Sequence, residues 1–197
     1  LDRDLGGDLD GDLDDREDGE LMMQVRDGDV GKLGILFERH HRRLFGFFLR
    51  STGRAPASED LVQEVFVRML KYRRTFRAQG EFVPWMFKLA RNVAADHFGR
   101  HGRERPAPEE APEPESSEPS APEDLERAES ARLLRAALRR LPQEKREVLV
   151  LSRFGNLRYD QIAALLGTSE GAVKVRVHRA LKQLRQAYEG LAQEARA

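Results

Sequence analysis

The amino-acid sequence predicts an all-α protein of two small helical domains joined by a flexible linker, and three observations carry that prediction. Apolar residues recur at three- and four-residue intervals through two long stretches, the spacing of amphipathic helices. No stretch of useful length alternates apolar and polar residues as a half-buried strand would. The formal charge of zero over 197 residues also breaks into blocks. Residues 1–19 carry nine acids and two bases, a net −7, and 20–103 carry sixteen bases and nine acids, a net +7. Residues 104–124 carry eight acids and one Arg, again −7, and 125–197 carry fifteen bases and eight acids, again +7. Two basic helical segments separated by an acidic spacer form the asymmetry of a polyanion binder, not of a neutral enzyme.

The elements follow in chain order. Residues 1–19 are expected to be a disordered acidic tail, because their charge is high and their apolar content low. A calcium loop starting at Asp8 would need Gly at its sixth position and Glu at its twelfth, where Leu13 and Gly19 stand. Between residues 20 and 103 three helical stripes are legible: Leu33, Leu36, Phe37, Leu44, Phe47 and Phe48; Leu61, Val62, Val65, Phe66, Met69 and Leu70; Trp85, Leu89, Val93 and Phe98. Ser58 ahead of Glu59 and Asp60 reads as an N-cap, and Pro84 suits a first helical turn. Residues 104–124, "ERPAPEEAPEPESSEPSAPED", hold six of the nine prolines and scarcely an aliphatic side chain, so they read as a linker. Beyond it come helices over residues 125–140, from Pro142 to a stop at Gly155, over "RYDQIAALLG", and from 170 to about 188.

Composition excludes several function classes. With no Cys there are no disulfides, thiolate metal sites or thiol nucleophiles, which suits a reducing compartment. No apolar run approaches the roughly 20 residues of a membrane span, and the N-terminal region is acidic where a secretory signal is basic then apolar, so a cytoplasmic location is expected. The histidine pairs His97/His101 and His40/His41 lack the partners of a metal motif. No cofactor, metal or catalytic residue is expected.

The segment from Tyr159 to Arg179 has the spacing of a helix-turn-helix: a helix ending at Gly167, a three-residue turn, and Ser169 capping a second helix with Glu170 in its first turn. At 100° per residue, Val173, Val177, Ala180, Leu181 and Leu184 form a stripe that can pack on Ile162, Ala163 and Leu166. The opposite arc carries Gly171, Val175, His178, Arg179 and Lys182, with Lys174 and Arg176 on its shoulders. Gly171 keeps that face slim where a recognition helix meets base edges, and the cations reach phosphates or guanine acceptors.

The stretch "LPQEKREVLVLSRFGNLRYDQIAALLGTSEGAVKVRVHRALKQLR" resembles the promoter-binding domain of bacterial extracytoplasmic-function sigma factors, members of the sigma-70 family. "ASEDLVQEVFVRML" is similar to that family's polymerase-binding helix, and "FVPWMFKLARNVAADHF" to its minus-10-reading helix. Three motifs in the family's order make the resemblance specific. It implies that Asp60, Gln63 and Glu64 grip the clamp helices of the polymerase β′ subunit. It implies that Phe76 and Asn92 hold a flipped minus-10 base, with Arg77, Lys88 and Arg91 tracking the strand. It places Gly171, Lys174, Val175, Arg176, His178 and Arg179 against the minus-35 element; Val175 departs from the family's small hydroxyl residue and suits a thymine methyl. The implied partners are core RNA polymerase, including its β subunit, promoter DNA and an anti-sigma factor, with no membrane insertion. Trp85 reads as core, since it shares a stripe with Leu89 and Val93. The competing reading is a helix-turn-helix regulator independent of core polymerase, whose N-terminal helices dimerise or sense a ligand; the polar face of "DLVQEVF" argues against it.

Overall fold

The computed structural model describes residues 8–101 and 122–195, and every regular element among the described residues is helical. The chain divides into two units, Leu1–Phe45 with Pro56–Arg105 and Gly46–Ala55 with Pro106–Ala197. Most of the expected linker, residues 104–121, lies outside the described residues; Pro122 to Asp124 open a helix.

The first unit holds α1 (Asp8–Asp27), α2 (Lys32–Thr52) as far as Phe45, α3 (Ala55–Tyr72) from Pro56, a 3-10 turn (Arg73–Thr75) and α4 (Phe82–His101), the C-terminal part of α2 from Gly46 belonging to the second unit. The disordered tail expected through residue 19 is corrected from Asp8 onward. Two of its acids are partnered: Asp15 Oδ1 accepts from the Val83 N–H at 2.8 Å, and Asp18 accepts from Arg39 at 2.8 Å and pairs with His40. One turn on, Met22 and Val25 are fully buried, so the helix has an apolar anchor that a window ending at residue 19 cuts off. Asp15 thereby caps the start of α4 from 68 residues away. Pro84 lies in that same first turn, where a missing N–H costs nothing.

Ser58 is likewise not the N-cap of α3. The helix starts at Ala55, with Pro56 in its first turn, and Ser58 is buried on its inner side. Leu36 and Leu44 of α2, Val65 and Met69 of α3, and Phe82, Met86, Phe87 and Ala90 of α4 are fully buried. Each large side chain contributes about 1.5–3 kcal/mol by leaving water.

The second unit contains α5 (Pro122–Arg140), α6 (Gln143–Arg153), α7 (Tyr159–Leu166) and α8 (Glu170–Glu194). Pro142 sits just before α6, and its carbonyl accepts from Lys145 and Arg146 at 3.0 Å, as expected of a helix started there. After α6 the chain turns at Gly155, where a Cβ would lie 2.5 Å from the Leu151 carbonyl oxygen and 2.8 Å from Leu157 Cδ1. No side chain fits there. Gly167 ends α7 in the left-handed region, φ 63°, and lets the Thr168 N–H donate to the Ala163 carbonyl at 2.9 Å. Ser169 Oγ then accepts from the Ala172 N–H at 3.2 Å, the predicted cap of α8. Val173, Val177 and Ala180 are buried together with Ile162 and Ala163, and α8 packs on α5, α6 and α7. Leu181, expected on that stripe, is 37% exposed, because it falls about 70° off the line through the three buried residues.

Candidate functional site

Three surfaces collect the residues singled out in the sequence. The first is the outer side of α3. Asp60 and Gln63 are exposed there, while Val62, Val65, Phe66 and Met69 are turned inward. Glu64 is already engaged: Arg68 Nε donates to Glu64 Oε1 at 2.7 Å, and Arg68 Nη1 lies 2.8 Å from Asp96 Oδ2 on α4. Burial works against the Arg68 charge, but the two carboxylates outweigh it and hold its pKa above the usual value. Val67 is 60% exposed on the same side, four residues after Gln63 and seven after Asp60. Sequence reasoning missed it by following only polar residues; the i, i+4 spacing was the signal.

The second surface joins the loop after the 3-10 turn to α4. Lys88 and Asn92, one turn apart, are exposed on α4, and Arg77 is exposed in the loop. Arg91 is half-buried beside them. Phe76 is not available as a stacking residue: it is 2% exposed, with its ring centroid 5.2 Å from Trp85 and 6.3 Å from Phe82, edge to face in both cases. The aromatic cluster around Phe82 takes it in, an outcome that residue type alone does not reveal. Trp85, expected in the core, is only half-buried, and its Nε1–H points to Thr75 Oγ1 at 3.4 Å. It borders the Lys88 and Asn92 face.

The third surface is the outer arc of α8. Gly171, Lys174, Val175, Arg176, His178 and Arg179 are all exposed, and Lys182 extends the row. Val175 is 48% exposed, a large aliphatic group in water between cations. A Cβ at Gly171 would meet nothing within 4 Å, so the glycine keeps the face low without serving internal packing. Lys174 Nζ lies 2.7 Å from Glu170 Oε1, one turn back, and that carboxylate holds the ammonium pKa above its ordinary value. Glu170 was read only as a first-turn acid; its i, i+4 spacing to Lys174 signals the pair.

His40 and His41 are otherwise occupied: His40 pairs with Asp18, and His41 Nδ1 is 2.9 Å from the Phe37 carbonyl oxygen. The side chain of His101 lies outside the described residues.

Comparison with known proteins matches residues 36–104 to Sigma-70 region 2 and residues 131–184 to Sigma-70 region 4. The RNA polymerase sigma factor CarQ of Myxococcus xanthus is 33% identical over 84% of this chain and 94% of its own length. The ECF RNA polymerase sigma-E factor of Escherichia coli is 28% identical over 81% of this chain and 88% of its own. Among solved structures, CnrH in complex with the cytosolic domain of CnrY superposes with a TM-score of 0.66 at 26% identity, covering 89% of this chain and 97% of that one.

Proposed function

The chain belongs to the sigma-70 family of RNA polymerase sigma factors, in its extracytoplasmic-function group, and from that premise we propose how its surfaces share the work of promoter recognition. The α3 stripe of Asp60, Gln63 and Val67, with Glu64 at its edge, docks on the β′ clamp helices of core polymerase. The α4 face of Lys88, Arg91 and Asn92, with Arg77 beside it, receives the unpaired minus-10 strand: cations follow phosphate, and the amide reads a base edge. Phe76 serves from below, as the floor that shapes its loop, and the open edge of Trp85 is the nearest aromatic surface. The α8 arc enters the major groove of the minus-35 element. Polymerase performs the chemistry, in the cytoplasm, and this chain supplies address and strand capture. An anti-sigma partner is part of the same reading, supported by CnrH having been captured with a bound polypeptide.

The observation that carries this reading is the exposed row from Gly171 to Lys182 on a helix whose other side is sealed against α7. A regulator independent of polymerase would explain that row alone, but the family relatives match both halves of the chain. The test is run-off transcription with purified core enzyme. Reversing charge at Lys174 and Arg179 should abolish initiation at a minus-35-dependent promoter while the protein still co-elutes with core polymerase. Initiation that survives the reversal removes α8 from the recognition role.

A further inference from the structure

Residues 170 to 185 of α8 hold five cations, Lys174, Arg176, Arg179, Lys182 and Arg185, and a single acid, Glu170. A carboxylate on a polyanion-binding face weakens phosphate attraction, so its placement there is informative. It stands at the N-terminal end of the helix, the end that approaches base edges in a helix-turn-helix. It is exposed, lies beside the low Gly171, and is 2.7 Å from the exposed Lys174 ammonium.

That pair presents a donor and an acceptor side by side. The major-groove edge of a G·C pair presents the complement: the N7 and O6 acceptors of guanine, then the N4–H₂ donor of cytosine. O6 and N4 are themselves hydrogen-bonded at about 2.9 Å, close to the Nζ to Oε1 separation in α8. We propose that Glu170 and Lys174 act as one reading unit for a single G·C pair of the minus-35 element, Lys174 donating to guanine O6 and N7 while Glu170 accepts from cytosine N4. An A·T pair puts the adenine N6–H₂ donor where guanine has O6, directly against the ammonium. Glu170 therefore sets specificity at one position, both by its own acceptor and by holding Lys174 in place. The inference rests on the promoter-binding reading above.

An acid in the first turn also stabilises a helix through its dipole. That role depends on charge alone and moves stability without touching base preference, so the two are separable. The experiment reconstitutes the full chain with core polymerase and selects from a duplex library randomised across the minus-35 region, using wild type, Glu170→Ala and Lys174→Ala, which remove the acceptor and the donor outright. Wild type should enrich one motif. Both variants should relax the same G·C column, by about tenfold in discrimination, and leave the other columns intact. Thermal midpoints are recorded alongside. An unchanged column in Glu170→Ala, or a loss spread over all columns, overturns the proposal and leaves Glu170 as a helix-start residue. If wild type enriches no motif at all, the promoter-binding reading itself has failed, and this unit falls with it.

Discussion

Replacing Asp15 by Ala tests whether the acidic N-terminal region is part of the first unit. The change removes the acceptor of the Val83 N–H, a bond of 2.8 Å at the start of α4. Val83 is buried, though the bond itself is part-buried, and leaving such a donor unsatisfied costs about 1–3 kcal/mol. Opposing this, burial of the Asp15 carboxyl raises its pKa, with Glu81 and Asp18 adding to the rise, so its charge is held at some cost. The net loss is therefore near the lower end, about 1 kcal/mol, similar to other cap deletions. Asp15→Asn keeps the acceptor and sheds the charge, and should match or exceed wild type at neutral pH. With an m-value of about 1–3 kcal/mol/M in urea, Asp15→Ala should lower the midpoint by roughly 0.3–1 M. Trp85, the single tryptophan, belongs to this unit and makes its fluorescence a selective probe of it. The pH dependence has a definite sign. A folded pKa above the unfolded value near 3.9 favours folding below that value and loses the contribution as pH rises through the folded pKa. Asp15→Asn should flatten that segment of the curve. Equal midpoints for wild type and Asp15→Ala, or equal losses for Ala and Asn, would refute the capping argument.

Asp18 has the opposite sign. Burial pushes its pKa up, but the hydrogen bonds and charges of His40 and Arg39 outweigh this and leave it lowered. Its contribution is present above about pH 3.9 and lost as pH falls through the folded value, so acid titration of Asp18→Asn should lack a loss of stability that wild type shows below about pH 4. At neutral pH, Asp18→Ala should cost about 3 kcal/mol by urea titration, since it strands His40 and Arg39 beside a vacated buried site. In the second unit, Gly155→Ala forces a carbon to within 2.5 Å of the Leu151 carbonyl and should cost about 1–3 kcal/mol, read as a lower thermal midpoint with weakened duplex binding. On α3, Val67→Asp should leave the unfolding free energy from urea titration within about 0.5 kcal/mol of wild type while weakening co-elution with core polymerase; retained co-elution would take Val67 out of the docking stripe.

What the sequence discloses about this fold divides by the range of the interactions. The helix-turn-helix was legible almost to the residue, because each of its determinants is local: Gly167 for a left-handed cap, Ser169 for the Ala172 N–H, and three small apolar residues on one line of α8. The misreadings of Asp15, Asp18 and Phe76 turn on partners outside their own helix or loop. Asp15 and Asp18 look like solvated acid until Val83, Arg39 and His40 arrive from other helices. Phe76 looks like an aromatic in an open loop until Phe82 and Trp85 enclose it. Spacing along the chain carries no information about such closures, and family resemblance names a role without fixing the exposure of the side chain that fills it.

Exposure also decides which substitutions can separate function from folding. On α8 the division is clean: Val173, Val177 and Ala180 are buried, and the proposed DNA contacts between them are exposed, so charge reversal there should spare stability. On α3 it is not. Glu64 belongs to the proposed polymerase stripe, yet Arg68 ties it to Asp96 on α4, the helix that carries Lys88 and Asn92. Reversing the charge of Glu64 would place a cation against Arg68 and loosen a link between the helix proposed to face polymerase and the helix proposed to face the strand. A defect in such a variant would mix docking with strand capture. Asp60 and Val67, exposed and outside that chain of charges, isolate the docking step, and a difference between their phenotype and that of Glu64 would measure how far the α3 to α4 link contributes to promoter opening.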